Sequence, residues 1–157
     1  MKVREICKRT VVSIGNKSDV VEAAKLMREA HVGFLIVVKE SDENRRPIGV
    51  LTDRDIVLEV TAPDLNPRLV TVEDIMTRQP LIASETDDLG EVLQAMRQAG
   101  IRRVPVVDLS GSLTGIVAID DAIDHITGLL CDITGSIQNE QRHERRARPV
   151  AEVRSVS

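Results

Sequence analysis

Residues 49–55 read Gly49-Val50-Leu51-Thr52-Asp53-Arg54-Asp55, and residues 115–121 read Gly115-Ile116-Val117-Ala118-Ile119-Asp120-Asp121. Each opens on a glycine, runs through apolar strand residues and closes on an aspartate where a helix would begin. The pair belongs to a longer repeat. Val3 to Val38 superposes on Val72 to Val107 at a constant offset of 69, which lays Ile6 on Ile75, Arg9 on Arg78, Asp19 on Asp88, Glu22 on Glu91 and Met27 on Met96. The offset then falls to 66, because Gly49 pairs with Gly115, so one copy carries a longer hairpin. Slippage confined to one turn is how repeated folding units diverge. Two similar halves facing each other across a pseudo-twofold axis leave clefts that draw residues from both, and function is to be sought there.

Each copy reads as strand, helix, strand, strand, helix, an α+β pattern. In the first, Val11 and Val12 open a short strand, and Ser18 caps a helix with apolar residues at Val20, Ala23, Ala24 and Met27. In the second, Leu89, Val92, Leu93 and Met96 repeat that stripe behind Asp87. The β-rich runs Phe34 to Val38 and Val104 to Val107 follow, then a turn, then Ile48 to Leu51 and Leu113 to Val117. Residues 61–71, with two prolines, form the expected linker. The expected organisation is a first unit over 1–60, the linker, a second unit over 72–128 and a C-terminal helix and basic tail over 129–157.

That last region has no counterpart in the first copy. Ile119, Ile123, Ile126, Leu130, Ile133 and Ile137 recur at alternating spacings of four and three, a seam that fits packing against a partner helix. A homodimer is the expected use. Gly128 and Gly135 each cost a helix interior about 1 kcal/mol relative to alanine, which marks them as the expected points of any break in the seam.

Composition narrows the function classes. A chain of 157 residues with 42% hydrophobic content buries an ordinary core, whereas two free units of roughly 60 residues would be marginal. No run reaches the roughly 18 apolar residues of a membrane span, and MKVREICKRT lacks the apolar stretch of a secretory signal, so a cytoplasmic protein is expected. Cys7 and Cys131 match no paired-ligand spacing and read as core thiols; no disulfide or metal site is expected. A net charge of −4 and a single aromatic residue, Phe34, argue against nucleic acid, despite five arginines from Gln138 onward. His31, His125 and His143 form no nucleophile-base arrangement with either cysteine, and no phosphate-cradling glycine loop is present, so no enzyme is expected. His31 reads as the C-terminal residue of the first helix.

Thr52 stands at a strand-to-helix junction, where a hydroxyl and the exposed amides of a helix start receive a phosphate. Asp55 is spaced to accept hydrogen bonds from a vicinal diol such as a ribose. The same Thr-x-x-Asp pattern is also a capping box, which needs no ligand. The second copy keeps the acid, Asp121, but has Ala118 in place of the hydroxyl, which points to a separate task for the acid. An acid at a helix start is also favourable in its own right, and both readings stay open.

The duplicated unit ending in Gly, two apolar residues, Thr, two variable residues and Asp resembles the CBS domain, tandem pairs of which are called Bateman modules. Ile75-Met76-Thr77 and Ile101-Arg102-Arg103-Val104-Pro105-Val106-Val107-Asp108 add to the likeness, which covers about residues 3–128. It implies two pseudo-symmetric βαββα units whose clefts bind adenosine-containing ligands: AMP, ADP or ATP, with S-adenosylmethionine or NADH as further candidates and no obligatory cofactor. By the same resemblance Asp55 would hold the ribose, Thr52, Arg102 and Arg103 the phosphates, and Val50, Leu51, Pro80 and Leu81 the adenine. The mirror site would be built from Val12, Phe34 and Asp121; it is poorer, since Gly33 and Phe34 stand where Arg102 and Arg103 do. The implied function is a regulatory sensor whose inter-domain or dimer geometry changes on ligand binding, acting through an effector protein the sequence does not identify. The alternative is a constitutive scaffold that uses the duplicated fold and the C-terminal seam without ligand.

Overall fold

The computed structural model describes residues 1–147. The end of the expected basic tail, with Arg148 and Arg154, lies outside the described residues. Residues Met1–Ile119 form one compact unit, and the described residues from Asp120 to Ala147 belong to a second.

The first unit is α+β and contains the repeat. A short 3-10 turn, Val3–Glu5, opens the chain, followed by β1 (Ser13–Gly15), α1 (Val20–Ala30), β2 (Phe34–Val38), β3 (Pro47–Thr52) and α2 (Asp53–Ile56), which runs into a π turn at Val57–Thr61. The second copy has α3 (Val72–Ile75), β4 (Thr77–Arg78), β5 (Ala83–Ser84), α4 (Leu89–Ala99), β6 (Arg103–Val107), β7 (Leu113–Ala118) and α5 (Ile119–Ala147). β1 runs parallel to β2 and β2 antiparallel to β3, as β5, β6 and β7 do in turn. Registers match across the repeat: Ile36 faces Val50 where Pro105 faces Ile116, and both hairpins slip by a bulge, at Val37/Val38 and Val106/Val107.

The copies exchange their opening segments. Val72 and Met76 are buried in the first half's core with Ile14, Leu35 and Leu51, whereas Val3 is buried in the second half's core with Leu89, Met96 and Val104. The amides of Val3 and Arg4 donate to the carbonyls of Asp87 and Glu85 at 3.0 and 3.1 Å; those of Val72 and Glu73 donate to Ser18 and Asn16 at 2.9 and 3.0 Å. All four pairs obey the 69-residue offset. β4 then pairs with β3, Val50 facing Thr77, and Lys8 makes the equivalent bridge to Ile116. This crossing explains the paired glycines. A Cβ on Gly115 would lie 2.9 Å from the Lys8 carbonyl oxygen, and one on Gly49 would lie 2.5 Å from Met76 Sδ and 3.0 Å from the Thr77 carbonyl oxygen.

Side chains reinforce each crossing. Glu73 accepts from Asn16 Nδ2 at 2.9 Å and from Lys17 Nζ at 2.6 Å, and Arg78 donates to its backbone carbonyl at 2.9 Å. The Lys17 and Asn16 hydrogen bonds hold the Glu73 carboxyl below the usual range. At the other crossing Arg9 pairs with Glu85.

Several local expectations shift by a residue or more. The first strand starts at Ser13, beyond Val11 and Val12. Asp19, not Ser18, caps α1, accepting from the Glu22 amide at 2.8 Å, because the Ser18 carbonyl is committed to Val72. Asp88, not Asp87, caps α4, since the Asp87 carboxylate accepts from the Ser84 amide at 2.7 Å. His31 ends α1 in the left-handed conformation, φ 54°, where Gly100 ends α4 at φ 66°. Cys7 is half-buried against the second core, and burial pushes its thiol pKa up, but Cys131 is exposed on α5 and is no core thiol. α5 runs unbroken through Gly128 and Gly135. No helix among the described residues is long and apolar enough to cross a membrane.

Candidate functional site

A cavity of about 640 Å³ opens within the first unit, with walls from both halves of the repeat. From the first half come Gly33 and Phe34 at the start of β2, Val50 and Thr52 from β3, and Asp53, Arg54 and Asp55 from α2. From the second come Thr77, Gln79, Pro80 and Leu81 after the crossing, then Ala99 to Arg103 and Pro105.

Strand alternation decides which side chains enter. Successive residues of β3 point to opposite faces, so Val50 and Thr52 reach the cavity while Leu51 between them is fully buried in the first core. The side chain of Leu51 is therefore not part of this wall, contrary to its expected place against an adenine. In β6 the same alternation turns Val104 into the second core and leaves Arg103 and Pro105 lining the cavity.

Thr52 and Asp55 form the capping box that one reading of the sequence anticipates. Thr52 Oγ1 accepts from the Asp55 amide at 3.1 Å, and Asp55 Oδ2 accepts from the Thr52 amide and hydroxyl, both at 2.8 Å. A carboxylate has about four lone-pair positions, so capping leaves capacity for a diol. The cap orients the carboxylate at the cavity wall rather than consuming it.

The lining carries both charged and apolar side chains. Arg54, Arg102 and Arg103 are exposed and line the cavity with Asp53 and Asp55, while Val50, Pro80, Leu81 and Ile101 supply apolar surface. The two halves share one backbone contact but place different residues at it. The Asp53 amide donates to the Gly33 carbonyl at 3.1 Å, as the Ile119 amide does to the Arg102 carbonyl at 3.0 Å. A Cβ on Gly33 would sit 2.6 Å from Asp53 Oδ2, so a side chain there would have to displace the exposed Asp53 carboxylate, whereas the second half carries Arg102 at this position.

Seven expected residues thus share one cavity: Val50, Thr52, Asp55, Pro80, Leu81, Arg102 and Arg103. Val12, Phe34 and Asp121 are the residues expected for a mirror site. Phe34 lines this same cavity, because it begins β2 opposite Thr52; Val12 packs against the first core; and Asp121 belongs to α5 in the other unit. Sequence reasoning missed Arg54, Gln79 and Ile101. Arg54 lies inside the Thr52-to-Asp55 motif and was available to it. Gln79 sits at φ 50° after β4, a turn no residue pattern announces. Among the described residues no group of three or more His, Cys, Asp or Glu is arranged to hold a metal ion.

The family model of the CBS domain matches residues 3–62 and 72–128. An uncharacterized protein of Methanopyrus kandleri is 40% identical over 124 residues, covering 78% of this chain and 61% of that protein, so the chain spans less than two thirds of that relative's length. A CBS domain protein of Pyrobaculum aerophilum, solved in complex with AMP, superposes with a TM-score of 0.70 at 28% identity, covering 77% of this chain and 89% of that chain. The CBS domain pair of the protein MJ0100, solved with 5'-methylthioadenosine and S-adenosyl-L-methionine, gives a TM-score of 0.69 at 28% identity, covering 80% and 99%.

Proposed function

The chain belongs to the CBS domain family, and on that premise we propose that it is a regulatory module that senses an adenine nucleotide in the cleft between its two halves. The observation that carries this reading is the convergence of Asp55 and Thr52 from one half with Arg102 and Arg103 from the other around a single 640 Å³ cavity. That volume lies within the range of small-molecule sites.

Each part of a nucleotide finds matching chemistry. The base lies between Val50, Pro80, Leu81 and Ile101, gripped by aliphatic surface. The ribose hydroxyls donate to Asp55. The phosphate meets Arg102 and Arg103, with Arg54 within the same lining. Cationic groups favour a phosphorylated ligand over a sulfonium, so AMP, ADP or ATP is preferred to S-adenosylmethionine, and NADH remains a candidate. Because the contacts come from both halves, ligand stabilises whichever relative pose of the halves brings them together, and shifts the population by its differential affinity for that pose. The module acts without catalysis of its own. It self-associates through α5, a homodimer being the smallest assembly that covers the exposed isoleucines, and passes its state to an effector protein.

A thermal-shift panel of AMP, ADP, ATP, S-adenosylmethionine and NADH tests this. A ligand at a hundred times its Kd adds about 2.7 kcal/mol, or roughly 5–11 °C in Tm at 2–4 °C per kcal/mol for a chain of this size. A flat response to all five at millimolar concentration would refute the sensor and favour the constitutive scaffold, which the exposed seam of α5 supports.

A further inference from the structure

We infer that α5 is a tetramerisation element: four copies of the chain bring their α5 helices into one bundle, joining two of the homodimers proposed above. Ile123, Ile126, Leu130, Ile133 and Ile137 lie on one face of α5 and are each between 47% and 57% exposed, although the helix extends over 29 residues. A segment with two glycines, two threonines and four isoleucines between Ile123 and Ile137 is a poor helix former on its own, so an uncovered helix here is not self-sustaining. The exposed apolar face calls for a covering partner.

The side chains specify the cover. With Ile123, Leu130 and Ile137 at the a positions of a heptad, Ile126 and Ile133 fall at d. Ile at both a and d, or Leu at a with Ile at d, favours three or four strands over two. The flanks agree, because the e and g positions hold Thr127, Leu129, Thr134 and Ser136, with no charge to pair across a two-stranded coil and Leu129 itself 45% exposed. Asp124 and Asp132 lie on the outer positions b and c. A pair of helices buries only the a and d positions of this seam, whereas a helix held between two neighbours also buries its e and g flanks. Closed symmetry then favours four copies, since two homodimers joined by further twofold axes make the common tetramer. Uncharged flanks are also what a like copy accepts, whereas a charged partner would need complementary ions.

The test is the solution mass of the full chain by light scattering or sedimentation, with and without Ile126→Leu, Leu130→Ile and Ile133→Leu combined. That variant conserves volume and converts the seam to Ile at a with Leu at d, the two-stranded preference. At 17.3 kDa per chain, the expected masses are about 69 kDa for the natural sequence and about half that for the variant. Unchanged circular dichroism shows that the variant is folded. A natural chain of two-chain mass would overturn the tetramer and leave the homodimer standing, and a one-chain mass would overturn both. Three chains, or four chains retained in the folded variant, would also overturn the assignment.

Discussion

Substituting Gly115 and Gly49 by alanine, one at a time, separates the two crossings that lock the halves together. In Gly115→Ala the new methyl would lie 2.9 Å from the Lys8 carbonyl oxygen and 3.3 Å from Cys7 Sγ, so the opening segment has to be displaced. Overpacking of this kind costs about 1–3 kcal/mol, offset by about 0.5–1 kcal/mol from the reduced freedom of the unfolded chain. The net loss is centred on about 1 kcal/mol and reaches at most about 2.5 kcal/mol, a fall in Tm of up to roughly 10 °C. Gly49→Ala meets Met76 Sδ, which can swing aside, and the Thr77 carbonyl oxygen at 3.0 Å, which cannot, so its loss of stability is comparable. The ligand response distinguishes them. The segment displaced by Gly49→Ala continues into Thr77, Gln79, Pro80 and Leu81 of the cavity wall, whereas residues 7 and 8 are not part of that wall. Differential scanning calorimetry with and without AMP should therefore show both variants destabilised but only Gly49→Ala weakened in its ligand shift. Gly115→Ala more stable than the natural chain would refute the packing argument. Equal ligand shifts in the two variants would refute the link from crossing to cleft.

Thr52→Ala removes a cap and should cost about 1 kcal/mol, read as a lower urea midpoint at unchanged slope. Gly128→Ala meets nothing within 4 Å and should strengthen α5 by about 1 kcal/mol, visible as slower amide exchange along that helix. Acid should unfold the protein through the crossings. Glu73, bonded by Lys17 and then Asn16, and Glu85, bonded by Thr114 and then Arg9, are held below their ordinary value of 4.5; Asp74, bonded by Thr71, is held below 3.8. A carboxyl depressed in the folded state contributes its full stability above its unfolded pKa and loses it as pH falls toward the folded one. The urea midpoint should thus be steady from pH 7 to 5 and fall below about 4.5, and a midpoint that rises over that interval would contradict the assignment.

The repeat made most of the fold legible, because a constant offset carries strand, helix and hairpin together. The runs from Phe34 to Val38 and from Leu113 to Val117 are strands with little correction at either end. Both caps stand one residue later than expected because other bonds claim the nearer groups: Val72 takes the Ser18 carbonyl and Ser84 the Asp87 carboxylate. The exchange of opening segments left only an oblique trace, the paired glycines 49 and 115, whose need becomes visible once the carbonyls of Thr77 and Lys8 are in place. In the cavity, residue types pointed to Asp55, Arg102 and Arg103, while alternation along β3 excluded the side chain of Leu51 and put Phe34 across from Thr52. A motif names neighbours in sequence; which face each side chain takes is fixed by the ladder.

The central claim is that Asp55 of one half and the Arg102 and Arg103 pair of the other hold the same nucleotide. Calorimetric titration of AMP and ATP into the natural chain and into Arg102→Ala/Arg103→Ala addresses it directly. Each charge-assisted hydrogen bond to a phosphate is worth about 1.5–3 kcal/mol, with the lower end fitting these exposed arginines, so the double variant, its fold checked by circular dichroism, should bind at least about a hundredfold more weakly. A folded double variant that binds with the affinity of the natural chain would contradict the account.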